Sequence, residues 1–247
     1  LLKLQAQQED WSGARQTLAA KLKHGALPRD VHKRRDAVLA LSQADADDSG
    51  DTKDTVIRAN KASPDLVPAA VMAASAYMEK GQKRQAIKAV KTAWEKQPHP
   101  DLAAAYAEIE PGESASARIK RFQELIRKTP DHPEAQMLMS ELNIAAEDFP
   151  AARRALGDLA DTKMTVRVAT LMAAIEKGEG ASDAVVKGWL ARAVTAPRGP
   201  AWVCDNCQTV HAAWGSTCSN CGAIDTMTWR DAPATEIALP GGAAMLP

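Results

Sequence analysis

The small and apolar residues of this chain recur with a helical period, most clearly between residues 68 and 98. A first alanine-rich segment ends at a turn around Gly81, and a second segment carries Ala86, Val90 and Ala93 on one helical face. Small residues allow two antiparallel helices to approach closely, and glycine supplies the backbone freedom that a tight turn requires. Because proline cannot continue a helix, the proline at the end of this stretch closes the unit. The pattern predicts one helical hairpin.

The frame of this hairpin recurs through residues 1–197, with spacings of 32 to 38 residues between equivalent positions. The small position of each unit is held in turn by Ala14, Thr52, Ala86, Arg118, Ala152 and Ala184. The position four residues later is held by Leu18, Val56, Val90, Phe122, Leu156 and Gly188. A third position, seven residues after the first, includes Leu159. A period near 34 residues with small, apolar and proline positions in this order resembles the tetratricopeptide repeat. The resemblance predicts an all-α fold, a tetratricopeptide-like α-solenoid of about six helical hairpins. An alanine-rich bundle without true repeats is the alternative, because the motif within any one unit is weak.

All four cysteines of the chain lie close together after the repeats, in two C-x-x-C pairs separated by ten residues: Cys204 with Cys207, and Cys218 with Cys221. Each pair can fold into a tight knuckle, and two knuckles at this separation bring four thiolates into a tetrahedron. The spacing predicts a closed structural metal site. Zinc is favoured and iron is possible, because tetrahedral sulfur sites accept either ion and nothing in the sequence calls for redox activity.

Flanking residues predict the fold around this site. Gly222 follows the second pair, where a positive φ is commonly needed so that backbone N–H groups can point at sulfur, and Gln208 holds the same place after the first pair with some strain. Short β segments at residues 201–203, 209–211 and 226–229 predict a zinc-ribbon or rubredoxin-like module over residues 198–231. His211 lies in the intervening loop, as a spare ligand or as a surface histidine.

Three tryptophans, Trp202, Trp214 and Trp229, accompany the cysteines. A module this small has little core of its own. We therefore interpret the three tryptophans as apolar side chains that surround the metal and pack against the last repeat. A partner-binding aromatic patch is the alternative.

Charge and motif content exclude several classes of function. The chain carries 31 basic and 31 acidic residues, and the predicted ribbon is acidic, so neither attracts a phosphate backbone and no nucleic acid is expected to bind. The acidic stretch Asp45 to Asp51 resembles a calcium loop, but Val56 stands where the bidentate glutamate belongs, so a turn is predicted. No hydrolase, P-loop or dinucleotide motif occurs, and the histidines, including His99 and His132 beside prolines in predicted turns, form no helical i, i+4 pair. The chain is therefore predicted not to be an enzyme.

Stacked hairpins make a surface suited to an extended peptide or a partner helix. By the repeat resemblance, the first helices line that groove. The candidate partner-binding residues are Arg34, Leu41, Val71, Met78, Met137, Glu141 and Ile144, with Ala37, Ser75, Ala103 and Ala107 beside them. Ordinary surface or packing between repeats is the alternative for each. The sequence names no partner and no oligomeric state.

The repeats and the segment from Trp202 to Arg230 together resemble the C-terminal part of the alphaproteobacterial HemY family. That resemblance implies the cytoplasmic part of a membrane-anchored repeat protein, at the cytoplasmic face of the inner membrane, associated with haem (tetrapyrrole) biosynthesis. The order of repeats then ribbon also resembles the LapB family, envelope regulators thought to present a lipopolysaccharide-pathway enzyme to a membrane protease. A haem or porphyrin carrier, or an oxidoreductase, is an alternative of another class, although no axial ligand or cofactor motif is recognisable.

The ends of the chain add two expectations. The sequence begins at Leu1, shows no signal peptide and has no run of 18 apolar residues, so we interpret it as a fragment whose membrane anchor lies in a missing N-terminal region. Residues 232–247 lack any periodicity and are predicted to form a flexible tail.

Overall fold

The computed structural model describes residues 1–47 and 52–232. Within these ranges the chain forms thirteen α-helices and then three β-strands. The helices are α1 (Leu2–Gln7), α2 (Trp11–Lys23), α3 (Arg29–Asp45), α4 (Lys53–Ala62), α5 (Val67–Glu79), α6 (Lys83–Trp94), α7 (Pro100–Glu108), α8 (Ala115–Ile126), α9 (Pro133–Ala145), α10 (Phe149–Leu156), α11 (Leu159–Thr162), α12 (Val166–Gly178) and α13 (Asp183–Thr195). The strands are β1 (Pro200–Cys204), β2 (Val210–His211) and β3 (Met227–Asp231).

Twelve of the described helices follow one another as six hairpins: α1 with α2, α3 with α4, α5 with α6, α7 with α8, α9 with α10, and α12 with α13. Five of these pairs pack closely along their helices. In the fourth hairpin α7 and α8 meet through side chains, with the Tyr106 and Phe122 rings 5.1 Å apart between centroids. The second helix of a hairpin also packs against the first helix of the next, as α4 does against α5 and α6 against α7. Stacking of this kind builds a solenoid in which each unit contacts its neighbours. The predicted fold class, a tetratricopeptide-like α-solenoid of about six hairpins, is confirmed.

Side chains at the helix starts explain where several helices begin. Asp10, Ser114 and Asp148 each accept a hydrogen bond from the backbone N–H three residues later. His99 and His132 use Nδ1 to accept from a backbone N–H in the same way, and each precedes a proline at the first helical position. These contacts satisfy N–H groups that a helix cannot pair internally. Both histidines therefore have a structural role at a helix start.

The solenoid core is made where the repeat pattern places it. Ala86, Val90 and Ala93 on α6 are completely buried. Trp94 beside them has no exposed surface, and its indole N–H donates to the hydroxyl of Thr129 at 2.9 Å. Small residues bring the helices close together and one large side chain fills the space between hairpins, which is the packing that the periodicity predicted.

The fifth hairpin departs from the predicted frame. Its second helix, α10, ends at Leu156, and Gly157 turns the backbone with a φ of 60°. The short helix α11 follows, so Leu159 is buried in α11 and not on the second helix of the hairpin, as the frame had placed it. Glycine adopts a positive φ without a steric penalty, so this local turn overrides the repeat.

The C-terminal module is a three-stranded antiparallel sheet in the order β2-β1-β3. Trp202 in the central strand pairs with His211 on one side and with Trp229 on the other. The predicted β segments are confirmed, with strand ends that shift by one or two residues.

Two sequence-based predictions fall partly or wholly outside the described ranges. In the acidic stretch, Asp45 ends α3, and the residues from 48 to 51 are not described. The predicted flexible tail is described only at residue 232. Among the helices of residues 1–47 and 52–232, none is long and apolar enough to cross a membrane.

Candidate metal centre

The four cysteine sulfurs converge beside the three-stranded sheet. All four Sγ atoms lie within 4.8 Å of one another, with 3.7 Å between Cys204 and Cys221 and 3.6 Å between Cys207 and Cys218. A tetrahedral zinc ion with Zn–S bonds of about 2.3 Å holds its sulfurs about 3.8 Å apart. None of the four is in a disulfide. The donor set and its spacing therefore fit a four-thiolate metal ion.

The two C-x-x-C segments fold alike. In the first knuckle the N–H of Gln208 donates to the carbonyl of Cys204 at 2.8 Å, and in the second the N–H of Gly222 donates to the carbonyl of Cys218 at 2.7 Å. A further backbone bond closes each knuckle, at 3.0 Å from the Cys204 N–H to the carbonyl of Thr209 and at 2.9 Å in its counterpart. The site is thus two nearly equivalent halves, as the paired motifs predicted.

Both knuckles require a positive φ at the residue after the second cysteine. Gly222 has a φ of 65° and Gln208 a φ of 61°, which confirms the expectation for both positions. A Cβ added at Gly222 would lie 2.3 Å from the side-chain nitrogen of Gln7 on α1, so that flexible side chain would have to move. Gln208 is held instead by its side chain, which donates to the Asp205 carbonyl at 3.0 Å and accepts from Arg230 at 2.6 Å.

Two asparagines that the sequence analysis did not single out bridge the halves. The side-chain amide of Asn206, within the first pair, donates to Cys221 at 3.3 Å. Asn220, within the second pair, donates to Cys207 at 3.6 Å. Both motifs read C-x-N-C, and this repetition was the signal in the sequence. Amide donors of this kind stabilise thiolate charge and orient the metal ligands.

The surroundings of the site shift the pKa values of two of its thiols in opposite directions. Hydrogen bonds from the hydroxyl and backbone N–H of Thr209 lower the pKa of Cys207 to about 5. Burial raises the pKa of Cys218 to about 11. A metal ion must bind thiolates, so the Cys207 half of the site is prepared for it and the Cys218 half depends on the charge that the ion brings.

His211 lies next to the site without completing it. Its Nε2 is 3.4 Å from the Cys218 sulfur, and its side chain is half-buried. Among the described residues, the group of ligand atoms within mutual reach consists of the four sulfurs alone. This arrangement suits a hydrogen bond from the imidazole to a coordinated sulfur.

The ribbon packs against the solenoid near its middle, at the start of the fourth hairpin. The His99 ring, almost fully buried at the start of α7, lies 5.1 Å from the Trp202 ring and 4.2 Å from the Trp229 ring, measured between centroids. The side-chain amide of Gln97 donates to the Trp229 carbonyl at 3.4 Å. Two of the tryptophans therefore dock on the fourth hairpin, which corrects the expected docking onto the last repeat.

Contacts extend from this point to both ends of the solenoid. Ile224 packs against the cluster of Leu2 and Ala6 on α1. At the far end, the Lys163 ammonium, just before α12, lies 4.0 Å from the Asp231 carboxylate on β3. The ribbon thus contacts the first hairpin, the fourth and the last, an arrangement that no local sequence signal predicted.

One predicted groove residue takes part in this docking. Arg34 on α3 donates from Nε to Asp225 at 3.1 Å, and the Asp225 side chain is only 10% exposed. Burial raises the pKa of Asp225, and the charge and hydrogen bond of Arg34 oppose that rise. The positive charge of Arg34 therefore offsets the buried negative charge of Asp225 in the ribbon.

The other candidates occupy three environments. Leu41 and Met137 are only 1% and 6% exposed, and each contributes to a cavity wall, Leu41 in the cleft that faces Trp214 and Met137 in the cavity beside the third strand. Val71 and Met78 line an open groove between α5 and α7. Ile144 packs half-buried against the cluster around Met137.

Glu141, the remaining candidate, belongs to an ion-pair network that the sequence did not reveal. Arg167 on α12 donates to Glu141 at 2.6 Å and to Glu134 at 2.8 Å, both on α9. Burial raises the pKa of Glu134, which is 6% exposed, and Arg167 opposes that effect. The network joins the fifth and sixth hairpins. Its residues are far apart in sequence, so no spacing rule identifies it.

A cavity of about 250 Å³ lies between the solenoid and the third strand. Its lining combines apolar residues such as Pro133, Leu159 and Trp229 with the charged Lys163 and Arg230.

No protein-family profile matches the chain. Among curated proteins it is similar to a probable magnetosome protein of Magnetospirillum gryphiswaldense, with 28% identity over 236 residues. The alignment covers 94% of this chain and 53% of that protein, so the chain spans about half the length of the curated relative. This relative is not named as a HemY or LapB protein.

Two solved structures are also similar. The MamA protein aligns with a TM-score of 0.41 and 16% identity over 66% of this chain and 87% of its own. A tetratricopeptide repeat protein from Parabacteroides merdae aligns with a TM-score of 0.36 and 15% identity over 78% of this chain and 82% of its own. The assignment of the fold rests on the six hairpins themselves.

Proposed function

We propose that this protein is a non-enzymatic scaffold, in which first helices of the solenoid bind a segment of a partner protein and the four cysteines hold a structural zinc ion. The observation that carries the proposal is the open groove between α5 and α7, with Val71 and Met78 in its lining, beside a four-sulfur site. Stacked hairpins with an open first-helix surface suit extended contacts. Four thiolates around one ion leave no position for water or substrate, so the metal supports structure and not turnover. Iron would fit the same donors.

We place this scaffold in the setting that the HemY resemblance implies, as the cytoplasmic part of a membrane-anchored protein of the inner membrane linked to tetrapyrrole synthesis. A LapB-like adaptor to a membrane protease is the second setting. The similarity to a probable magnetosome protein supports a third, a part in building a magnetosome. In all three the chain acts by holding another protein.

Crosslinking in a membrane extract, followed by capture and identification of the crosslinked protein, tests the scaffold function. The groove variant Ser75→Trp places a large side chain among the groove-lining residues, and it should abolish the crosslinked product. Ser116→Trp, an equally exposed serine on α8, is the matched control and should leave the product unchanged. Equal capture by both variants would refute binding in this groove.

A haem titration and a turnover assay distinguish the scaffold function from a direct role in tetrapyrrole chemistry. Haem titrated into the purified protein should produce no Soret shift that depends on a single histidine. Turnover of a tetrapyrrole precursor that one point mutation abolishes would replace the scaffold proposal with an enzymatic one.

A further inference from the structure

The groove between α5 and α7 is an open part of the first-helix surface, with a volume of about 570 Å³. Its floor is apolar, with Val71, Ala74 and Met78 from α5 and Ala104 and Ala105 from α7. The ribbon lies beside it, since the neighbouring Met72 lines the cleft that faces Trp214. The small alanines leave room above the floor for side chains of another molecule.

The charged residues that line this groove are all acidic: Glu79, Asp101 and Glu108. The side chains of Glu79 and Asp101 are 54% and 59% exposed, and Glu108 is exposed as well. The Lys53 ammonium forms a salt bridge with the Glu79 carboxylate at 2.9 Å, which offsets one of these three negative charges. His99 lies 3.6 Å from the Asp101 carboxylate, but burial lowers the pKa of this imidazole to about 4, so it is neutral near pH 7. The groove therefore has a net negative rim.

The carboxylates stand at both ends of the apolar floor. Asp101 is in the first turn of α7 and Glu108 is its last residue, seven positions later, which is about 10 Å or two helical turns. Glu79 is the last residue of α5, which runs in the same direction as α7 because α6 reverses the chain between them. A ligand that fills the floor thus meets negative charge before and after its apolar contacts.

We propose that the α5–α7 groove binds an amphipathic helix of the partner, with apolar side chains on the groove floor and basic residues about two turns apart that pair with Asp101 and Glu108. The inference rests on the proposed scaffold function and adds the chemical class of the bound segment. Complementary charge selects such a helix, because an acidic helix in the same place would be repelled and its carboxylates would lose solvent without gaining a partner.

A synthetic amphipathic peptide is the probe, with leucines on one helical face and two arginines seven positions apart that flank them. Its binding to the full chain is measured by fluorescence anisotropy at low and at high salt. Binding should be detectable and should weaken with salt, because exposed charge pairs are screened. The double variant Asp101→Asn, Glu108→Gln should weaken it about five- to tenfold, as the loss of two exposed pairs implies.

Two controls isolate the charge effect. Glu124→Gln removes an exposed carboxylate on α8, outside the groove, and should leave the peptide affinity unchanged. A peptide with glutamates in place of both arginines should bind at least tenfold more weakly, because it repels the rim. Far-UV circular dichroism confirms that each variant keeps its helices.

The outcomes separate this inference from the scaffold function. Failure of the arginine peptide to bind, or equal affinity for the double variant and the unaltered chain, overturns the inference. If the double variant has unaltered affinity while Ser75→Trp still abolishes capture of the native partner, the groove binds a protein segment of another chemistry. If Ser75→Trp leaves capture unaltered, the scaffold function in this groove is itself refuted.

Discussion

The solenoid and the ribbon are folded units of different kinds within one chain. Each hairpin of the solenoid contributes buried apolar residues, and on α6 alone Ala86, Val90 and Trp94 have no exposed surface. The ribbon, residues 198–231, buries few apolar side chains besides its cysteines: Trp202, Val203 and Met227. Modules below about 40 residues usually need a disulfide, a metal or a partner to fold. The comparison indicates that apolar packing folds the solenoid, whereas the ribbon needs further stabilisation, which the solenoid surface and a metal ion on the four sulfurs would supply.

The largest effect is expected from Cys218→Ser. Binding free energies of structural zinc are about 10–16 kcal/mol, and in a module this small they are mainly folding free energy. The variant should lose the single equivalent of zinc and the ribbon fold, while far-UV circular dichroism shows the solenoid helices retained. The neighbouring Ser219 is exposed, so Ser219→Ala is the matched control and should keep full metal content. Retained zinc in Cys218→Ser would contradict the four-thiolate site.

The reverse experiment weakens the solenoid. Trp94→Ala removes a completely buried indole and its hydrogen bond to Thr129, so it should cost about 3–5 kcal/mol of unfolding free energy. Denaturant unfolding followed at the helical signal measures this loss, and Lys88→Ala, exposed on the same helix, should change stability by less than about 0.5 kcal/mol. Metal content in the absence of denaturant should stay at one equivalent. Release of zinc from folded Trp94→Ala would show that the ribbon relies on the solenoid more than its metal implies.

The contact between the two regions should be sensitive to pH through His99. Burial lowers the pKa of this imidazole from 6.5 to about 4, so the folded state favours its neutral form. This preference for the neutral imidazole contributes about 3 kcal/mol to the free energy of unfolding. The contribution is complete above pH 6.5, falls as the pH drops towards about 4, and is lost below that pH.

Protonation of the thiolates also destabilises the protein in acid, so the prediction concerns a difference between two proteins. His99→Asn offers an oxygen in place of Nδ1 for the N–H of Asp101 and cannot be protonated in this range. Unfolding free energies from pH 7 to pH 4.5 should fall less steeply in His99→Asn than in the unaltered chain. Parallel slopes would show that the imidazole is not held neutral by its burial against the two indoles.

The smallest effect is expected at the rim of the same contact. Arg34→Met removes the guanidinium that offsets the buried carboxylate of Asp225, with an expected cost of about 1 kcal/mol because Arg34 is itself 38% exposed. The ribbon should open more often, and a thiol reagent should react with the cysteines about five times faster. Arg29→Met, an exposed position on the same helix, should react at the unaltered rate. An identical rate for both variants would exclude Arg34 as a docking residue.

The sequence predicted what depends on neighbouring residues. The periodic small positions identified the hairpins. The paired C-x-x-C motifs identified the four sulfurs that converge and the positive φ of Gly222 and Gln208. These features are local, because helical periodicity and knuckle geometry are set within a few residues. Gly157 shows the limit of this reasoning, since one turn shifted Leu159 into an extra helix.

The contact between ribbon and solenoid could not be predicted in the same way. His99 was identified as a residue beside a proline, but its contact with both Trp202 and Trp229 depends on segments about a hundred residues apart. Likewise, the repeat frame placed Leu41 and Met137 on a partner-binding surface, and only tertiary packing leaves them no more than 1% and 6% exposed. Contacts of this kind are set by shape and charge across separate elements, and no single spacing in the sequence encodes them.

Hydrogen exchange of the whole chain, with one equivalent of zinc and after its removal under reducing conditions, tests the central claim most directly. The account predicts that amides of β1 and β3, including Val203 and Thr228, lose their protection without the metal, while those of α5 and α6 keep theirs. Ribbon amides that stay protected in the metal-free protein would contradict it, because the ribbon would then fold without the ion.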